Sequence, residues 1–268
     1  MTNKPTERKL NNDQQAILKL LLKFRFITRQ SITKLFTNSH PGMDVYRKLQ
    51  VLEKRGLIAK RFDSSYRLQG KPAAYYLLPE GARKLQGDKQ ATESKARIKA
   101  IYKDKSVSEQ FIEECHDVFG TYVALREHND GLRFFTKADL SHEDYEYFPQ
   151  PLPDAYVKLQ DGKHFFMQMH YAHQPFFVAT RAVKRYTDYF ENGIWDDTGT
   201  DFPVVLFVVD SASIQKRLNK FISKNTEDIR IHTALKSDVL NGGSRIWHNA
   251  DEPEEAHSLK ELTGIDSA

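Results

Sequence analysis

The chain carries one cysteine, Cys115, in 268 residues. A lone thiol excludes an intramolecular disulfide and a cysteine-rich zinc cluster. It has no apolar run near the length of about 20 residues that spans a bilayer. The start lacks the basic-then-apolar pattern of a secretory leader, so a cytoplasmic protein with no membrane partner is expected. No internal repeat is visible.

What is present describes an ordinary globular protein. Hydrophobic residues make up 40% and charged residues 28% of the chain, enough to bury a core. The length favours two domains. The net charge of +4 conceals a sharp division. Residues 1–105 hold 24 Lys/Arg against 9 Asp/Glu, and residues 106–268 hold 16 against 27. A basic half joined to an acidic one is the electrostatic footprint expected of a nucleic-acid binder.

Motif and charge coincide between Phe26 and Leu78. The preceding segment places Ile17, Leu20, Leu21 and Phe24 at helical spacing, with Asn12 and Gln15 resembling a capping box. Thr28 is suited to cap a second helix burying Ile32, Leu35 and Phe36. A third helix is expected from near Pro41 to Gly56, a residue suited to the left-handed turn that ends helices. Val45, Leu49 and Leu52 share its buried face, which puts Met43, Arg47, Gln50 and Lys54 on the other side. Leu57–Phe62 and Ala73–Leu78 then read as two hairpin strands around the turn formers Asp63, Ser64, Ser65, Gly70 and Pro72.

Helix, turn, helix and basic hairpin, in that order, are the signature of a winged helix, which lays its second motif helix in the major groove of double-stranded DNA. Arg and Gln make bidentate contacts to base edges, while Lys54 and Arg55 suit phosphate. The expected DNA-binding residues are Arg29, Met43, Arg47, Gln50, Lys54 and Arg55, with Arg67 and Lys71 on the hairpin tip. The expected domain runs over 1–86, followed by a basic connection at 87–105.

From 106 to 249 the character changes to alternating helices and strands. Val107, Phe111, Cys115, Val118, Phe119, Tyr122 and Val123 mark an amphipathic helix of about twenty residues. Leu132–Thr136 is a strand candidate, followed by an acidic, aromatic loop at Asp139–Gln150. Asp154–Leu159 and His164–Tyr171 form a hairpin across Asp161-Gly162. Pro175–Phe190 is helical, Pro203–Val209 is a buried central strand, Ser213–Ser223 a helix and Ile229–Ala234 the last strand. The acidic, Pro- and Glu-containing segment 250–268 suggests a loose tail.

That order, in an α+β chain, matches restriction-endonuclease-like α/β domains. There an Asp on one strand and an acidic-x-Lys triplet on the next hold a divalent metal that activates water. Asp154 sits at the start of the first strand. The triplet position is filled by Gln168-Met169-His170, whose spacing and side fit but whose chemistry does not. Gln168 is neutral, and His170 titrates near neutrality instead of holding a fixed ammonium charge. His164, His170 and His173 also raise a transition-metal site, with nothing closing the ligand set. The hydrophobic-separated His pair of tyrosine relaxases is absent, and no tyrosine is marked as a nucleophile by its neighbours.

The stretches FITRQSITKLF, VYRKLQVLEKRGLIAKR and AYYLLPEGARKL, followed by ECHDVFGTYVAL, PDAYVKL and HFFMQMHYA, resemble the replication-relaxation family of plasmids and other mobile elements. The resemblance covers roughly residues 12 to 210. It implies a winged helix fused to an endonuclease-like domain, with some members acting as atypical relaxases that nick a transfer origin. It also implies that Asp154 is the metal-side aspartate and His116 the helix histidine. An acidic residue is usual where this chain has Gln168.

Three functions follow as alternatives. The first is a DNA-binding accessory or regulatory protein of a mobile element, acting as a homodimer and needing no cofactor. Replication or conjugation proteins of the element would be its further partners. The second is a metal-dependent nickase using Mg²⁺ or Mn²⁺ at Asp154 with Gln168, His170 and His116. The third is a protein-interaction adaptor with no DNA affinity. The residues favour a binder over an enzyme.

Overall fold

The computed structural model describes residues 9–37, 44–86 and 101–263. The chain is a mixed α+β protein that divides into two compact units, Met1–Phe119 and Gly120–Ala268. Among the described residues no helix is long and apolar enough to cross a membrane.

The first unit opens with α1 (Asn12–Phe24). Its capping box lies one residue earlier than the pattern suggested. Asn11 accepts from the Gln14 N–H at 2.9 Å, and Gln14 accepts from the Asn11 N–H at 3.1 Å. Strand β1 (Phe26–Thr28) leads into α2 (Arg29–Thr37), where Thr28 Oγ1 accepts the Ser31 N–H at 3.1 Å as a helix cap. Helix α3 spans Val45–Lys54, with Asp44 accepting the Arg47 N–H. The cap is therefore Asp44, while Pro41 and Met43 lie outside the described residues. Gly56, at φ +67°, ends it as expected.

Strands β2 (Ile58–Arg61) and β3 (Ala74–Leu77) pair antiparallel, and β1 adds to β3, giving the order β1-β3-β2. The hairpin tip is not a plain turn. Asp63 accepts from the N–H groups of Ser65 and Tyr66 and so caps a short helix, α4 (Ser64–Leu68). An Asx residue before two serines serves a helix cap as readily as a turn. Helix α5 spans Pro79–Gln86.

Helix α6 runs from Glu109 to His128. In its first half Phe111, Ile112 and Cys115 pack with Phe26, Tyr66, Ala74 and Tyr76. The first unit therefore continues to Phe119, beyond the domain end expected at 86, because this half-helix completes its core.

The second unit is built on a seven-stranded sheet of order β10-β9-β8-β7-β6-β5-β4. Strands β4 (Arg133–Thr136), β5 (Ala155–Lys158) and β6 (His164–His170) form an antiparallel meander. Strands β6, β7 (Val204–Val209) and β8 (Ile231–Leu235) are parallel. Helix α7 (Phe176–Glu191) links β6 to β7, and α8 (Ala212–Asn225) links β7 to β8. Every residue of β7 is buried, as expected where helices cover a parallel sheet. Phe166, Val205, Phe207 and Val209 pack with Val183, Tyr186 and Leu218.

Two expectations change here. The acidic loop contains two short 3-10 turns, Asp139–Ser141 and Glu143–Tyr145. The segment after Asn249 is not loose as far as residue 263. Following α9 (Lys236–Leu240), β9 (Trp247–Asn249) pairs with β10 (Ala256–His257). Leu259 and Leu262 are buried, and Arg245 pairs with Glu261. Two apolar anchors and an edge strand hold what composition alone presents as a polar tail.

Because β6, β7 and β8 are parallel, their carboxyl ends lie along one edge of the sheet. β5 is antiparallel to β6, so its start joins them: the Asp154 N–H donates to the Met167 carbonyl at 2.9 Å. Open α/β sheets bind ligands outside such ends.

Candidate functional site

In the first unit the exposed face of α3 presents Tyr46, Arg47, Gln50, Val51 and Lys54, opposite the buried Val45, Leu49 and Leu52. Tyr46 is 49% and Val51 40% exposed. The Arg29 guanidinium lies 5.3 Å from the Tyr46 ring centre. Arg55 is the helix C-cap and is half-buried. Tyr46 and Val51 are not marked by composition, because apolar residues in an amphipathic helix ordinarily belong to its core. Their signal was angular: neither falls on the Val45–Leu49–Leu52 stripe.

The hairpin tip is tied to the start of α6. Glu109 accepts from Arg61 at 2.7 Å and from the Tyr66 hydroxyl at 2.5 Å. Burial, then this hydrogen bond, pushes the Tyr66 hydroxyl pKa up. Lys71 pairs with Glu113 at 2.6 Å, and Arg67 lies over the Phe62 ring. Arg67 and Lys71 thus share the tip, and Lys71 has an acidic partner. His116, on the same half-helix, has a buried Nε2 with no partner, and burial lowers its pKa to about 4. It belongs to the first unit, whereas Asp154, Gln168 and His170 belong to the second.

In the second unit Asp154 and Gln168 meet. Gln168 Nε2 donates to Asp154 Oδ2 at 2.7 Å, and the Met169 N–H donates to the same oxygen at 2.8 Å. Arg185, reaching from α7, donates to Gln168 Oε1 at 2.8 Å. These partners force the amide orientation, since a carboxylate only accepts and a guanidinium only donates. Lys137 stands 3.9 Å from Asp154 Oδ1.

His170 follows two residues on, on the same face of β6. It is 2% exposed, with no hydrogen-bond partner at either ring nitrogen. Burial lowers its pKa, with Asp210 opposing the shift. Asp210 directly follows β7 and pairs with Lys236 at 2.5 Å while accepting the Ala172 N–H at 2.6 Å. Arg185, Asp210 and Lys236 were not expected. Asp210 had a signal, an acid directly after a fully apolar strand; Arg185 and Lys236 lie in helices that give none.

The three strand-region histidines do not form one site. His164 bonds the Tyr156 hydroxyl at 2.9 Å and the Asp201 carbonyl at 2.6 Å, and His173 stacks on Tyr171. Among the described residues no three His, Cys, Asp or Glu side chains converge as a metal ion needs. The divalent cation implied by the endonuclease analogy does not fit these donors. Gln168 offers Asp154 an N–H and turns its carbonyl to a guanidinium, so a cation would meet hydrogen-bond donors and fixed positive charge.

The family model described as replication-relaxation matches residues 18–205, well over half of the chain, taking in α3, the hairpin, α6 and the Asp154–Gln168 strands. No curated protein and no solved structure matches.

Proposed function

The chain belongs to the replication-relaxation family, and from that membership we propose that it is a DNA-binding protein serving the replication or mobilisation of a plasmid or other mobile element. The carrying observation is the exposed face of α3, where Arg47 and Gln50 stand with Tyr46, Val51 and Lys54. The element order α1-β1-α2-α3-β2-α4-β3, with the sheet order β1-β3-β2, supports reading the first unit as a winged helix whose hairpin tip carries a short helix. On that reading α3 enters the major groove of duplex DNA and the hairpin tip, with Arg67 and Lys71, lies along the backbone. The protein acts as a homodimer, because such readers recognise paired half-sites.

The second unit is read as an endonuclease-like domain that holds DNA instead of cutting it. Gln168 bound between Asp154 and Arg185 supports this. Supercoiled plasmid carrying the native site is expected to remain intact with Mg²⁺ or Mn²⁺. Nicking that Asp154→Ala abolishes would restore the enzyme reading.

The test of recognition is binding of the cognate duplex against a scrambled one at fixed salt. Replacing Arg47 and Gln50 with Ala should cost about 1–3 kcal/mol per lost bidentate contact on the cognate site and little on the other. Unchanged preference in the double variant would sink the assignment of α3.

A further inference from the structure

We propose that the carboxyl ends of β6, β7 and β8 form a metal-independent binding site for a phosphate group of a DNA strand. The proposal rests on the DNA-binding reading above and assigns a second, separate contact to it.

Both carboxylates at this sheet end already face positive groups or N–H donors. Asp154 takes the Gln168 amide and the Met169 N–H, and Asp210 takes Lys236 and the Ala172 N–H. Donor capacity remains over. Arg185 Nε is buried with no acceptor, and neither ring nitrogen of His170, one of which carries the N–H of the neutral ring, has a partner; Asp210 Oδ1, 2.5 Å from Lys236, also makes no hydrogen bond. Buried polar groups are rarely left unpaired, and an absent ion or water is a common reason. An acceptor with several oxygens and a negative charge satisfies a guanidinium and an imidazole N–H together.

The local field is also positive. Helices α7 and α8 leave β6 and β7 at this same end, so the N–H groups of their first turns point towards it. The two helices carry seven Lys/Arg against two acidic residues, within a half-chain whose acids outnumber its bases 27 to 16. Arg217 stands over Phe176 at 4.2 Å and Arg181 over the exposed Phe177 at 4.8 Å. Phe176 packs against the core, so Phe177, with Arg181 beside it, is the exposed ring, and a basic side chain next to an exposed ring is what a single strand needs, phosphate on one and base on the other.

The test uses the full-length protein with ¹⁵N-labelled histidine side chains, in EDTA except where a metal ion is added, when EDTA is first removed. It is titrated with a short oligothymidylate and, separately, with inorganic phosphate. The His170 ring signals should move with the oligomer at lower concentration than with phosphate. Arg185→Ala should weaken the oligomer response by at least about tenfold, with Arg185→Lys recovering part of it. Gln168→Glu should abolish the oligomer response and let added Mn²⁺ broaden the His170 signals. No movement in the native chain, movement only with Mg²⁺ or Mn²⁺ present, or Mn²⁺ broadening without the Glu, each overturns the proposal. A response to phosphate but not to the oligomer overturns the DNA assignment. Failure of the α3 reading is distinguishable, since Arg47→Ala with Gln50→Ala removes cognate-duplex preference and leaves the oligomer response of His170 unchanged.

Discussion

Gln168 donates its side-chain amide to Asp154 at 2.7 Å while its carbonyl accepts from Arg185. A neutral residue thus joins an anion to a cation at a sheet end where two carboxylates would repel each other. Asp154 is structural in this arrangement, since it also holds the Met169 N–H. Replacing it with Ala strands two part-buried donors and should lower stability by about 1–3 kcal/mol. Asp154→Asn keeps one acceptor and should lose less. Denaturant midpoints at constant slope check this; equal stability of the Ala variant and the native chain would refute it.

The exposed face of α3 gives a prediction about salt. Lys54 lies at its carboxyl end, where, on the proposed DNA-binding reading, a side chain meets backbone phosphate more readily than base edges. Lys54→Ala should reduce the slope of log affinity against log salt by about 1 and weaken all duplexes alike. Tyr46→Ala should act differently, removing the ring under Arg29 and weakening the cognate site more than others. If both variants change affinity identically across sequences, neither residue reads bases.

How far this was legible in the chain depends on range. Val45, Leu49 and Leu52, or Val204 to Val209, announce their elements through local period, and both elements are present, although the helix starts at Val45 and not near Pro41. The α4 helix did not announce itself, because Asp63-Ser64-Ser65 suits a turn and a cap equally. The closing strand β10 is two residues long, too short for any period, and is held by Leu259 and Leu262 within an acidic stretch. At the sheet end, Asp154 and the Gln168 position were visible from strand alternation. Arg185 was not, since nothing in α7 indicates which of its cations turns inward to a strand. The partition of His164 and His170 was invisible for the same reason: each is settled by residues far along the chain, Asp201 for one and Asp210 for the other.

Gly81 in α5 is a packing constraint. A Cβ there would stand 2.2 Å from the Leu57 carbonyl oxygen, which is backbone and cannot swing aside. Gly81→Ala should therefore destabilise the first unit by about 1–3 kcal/mol, despite the better helix propensity of Ala. Gly120→Ala meets only the Leu240 side chain and should cost less. A thermal melt in which Gly81→Ala is as stable as the native chain would refute the close contact.

Two buried histidines predict how stability depends on acid. Burial lowers the pKa of His116 and of His232 to about 4, the latter helped by His257, Arg230 and His248. The unfolded chain binds these protons near pH 6.5, so between about 6.5 and 4 it holds more protons than the folded one. Stability is therefore fully present above pH 6.5 and falls as the pH drops towards 4. The fall from each group is at most about 1.4 kcal/mol per pH unit inside that window. Replacing His116 by Leu should flatten the fall in the first unit, and His232→Leu should do so in the second. Urea midpoints measured from pH 7.5 down to 4.5 give the comparison. If the single variants lose stability with acid as steeply as the native chain, these histidines are protonated in the folded protein and their surroundings are wetter than the packing indicates.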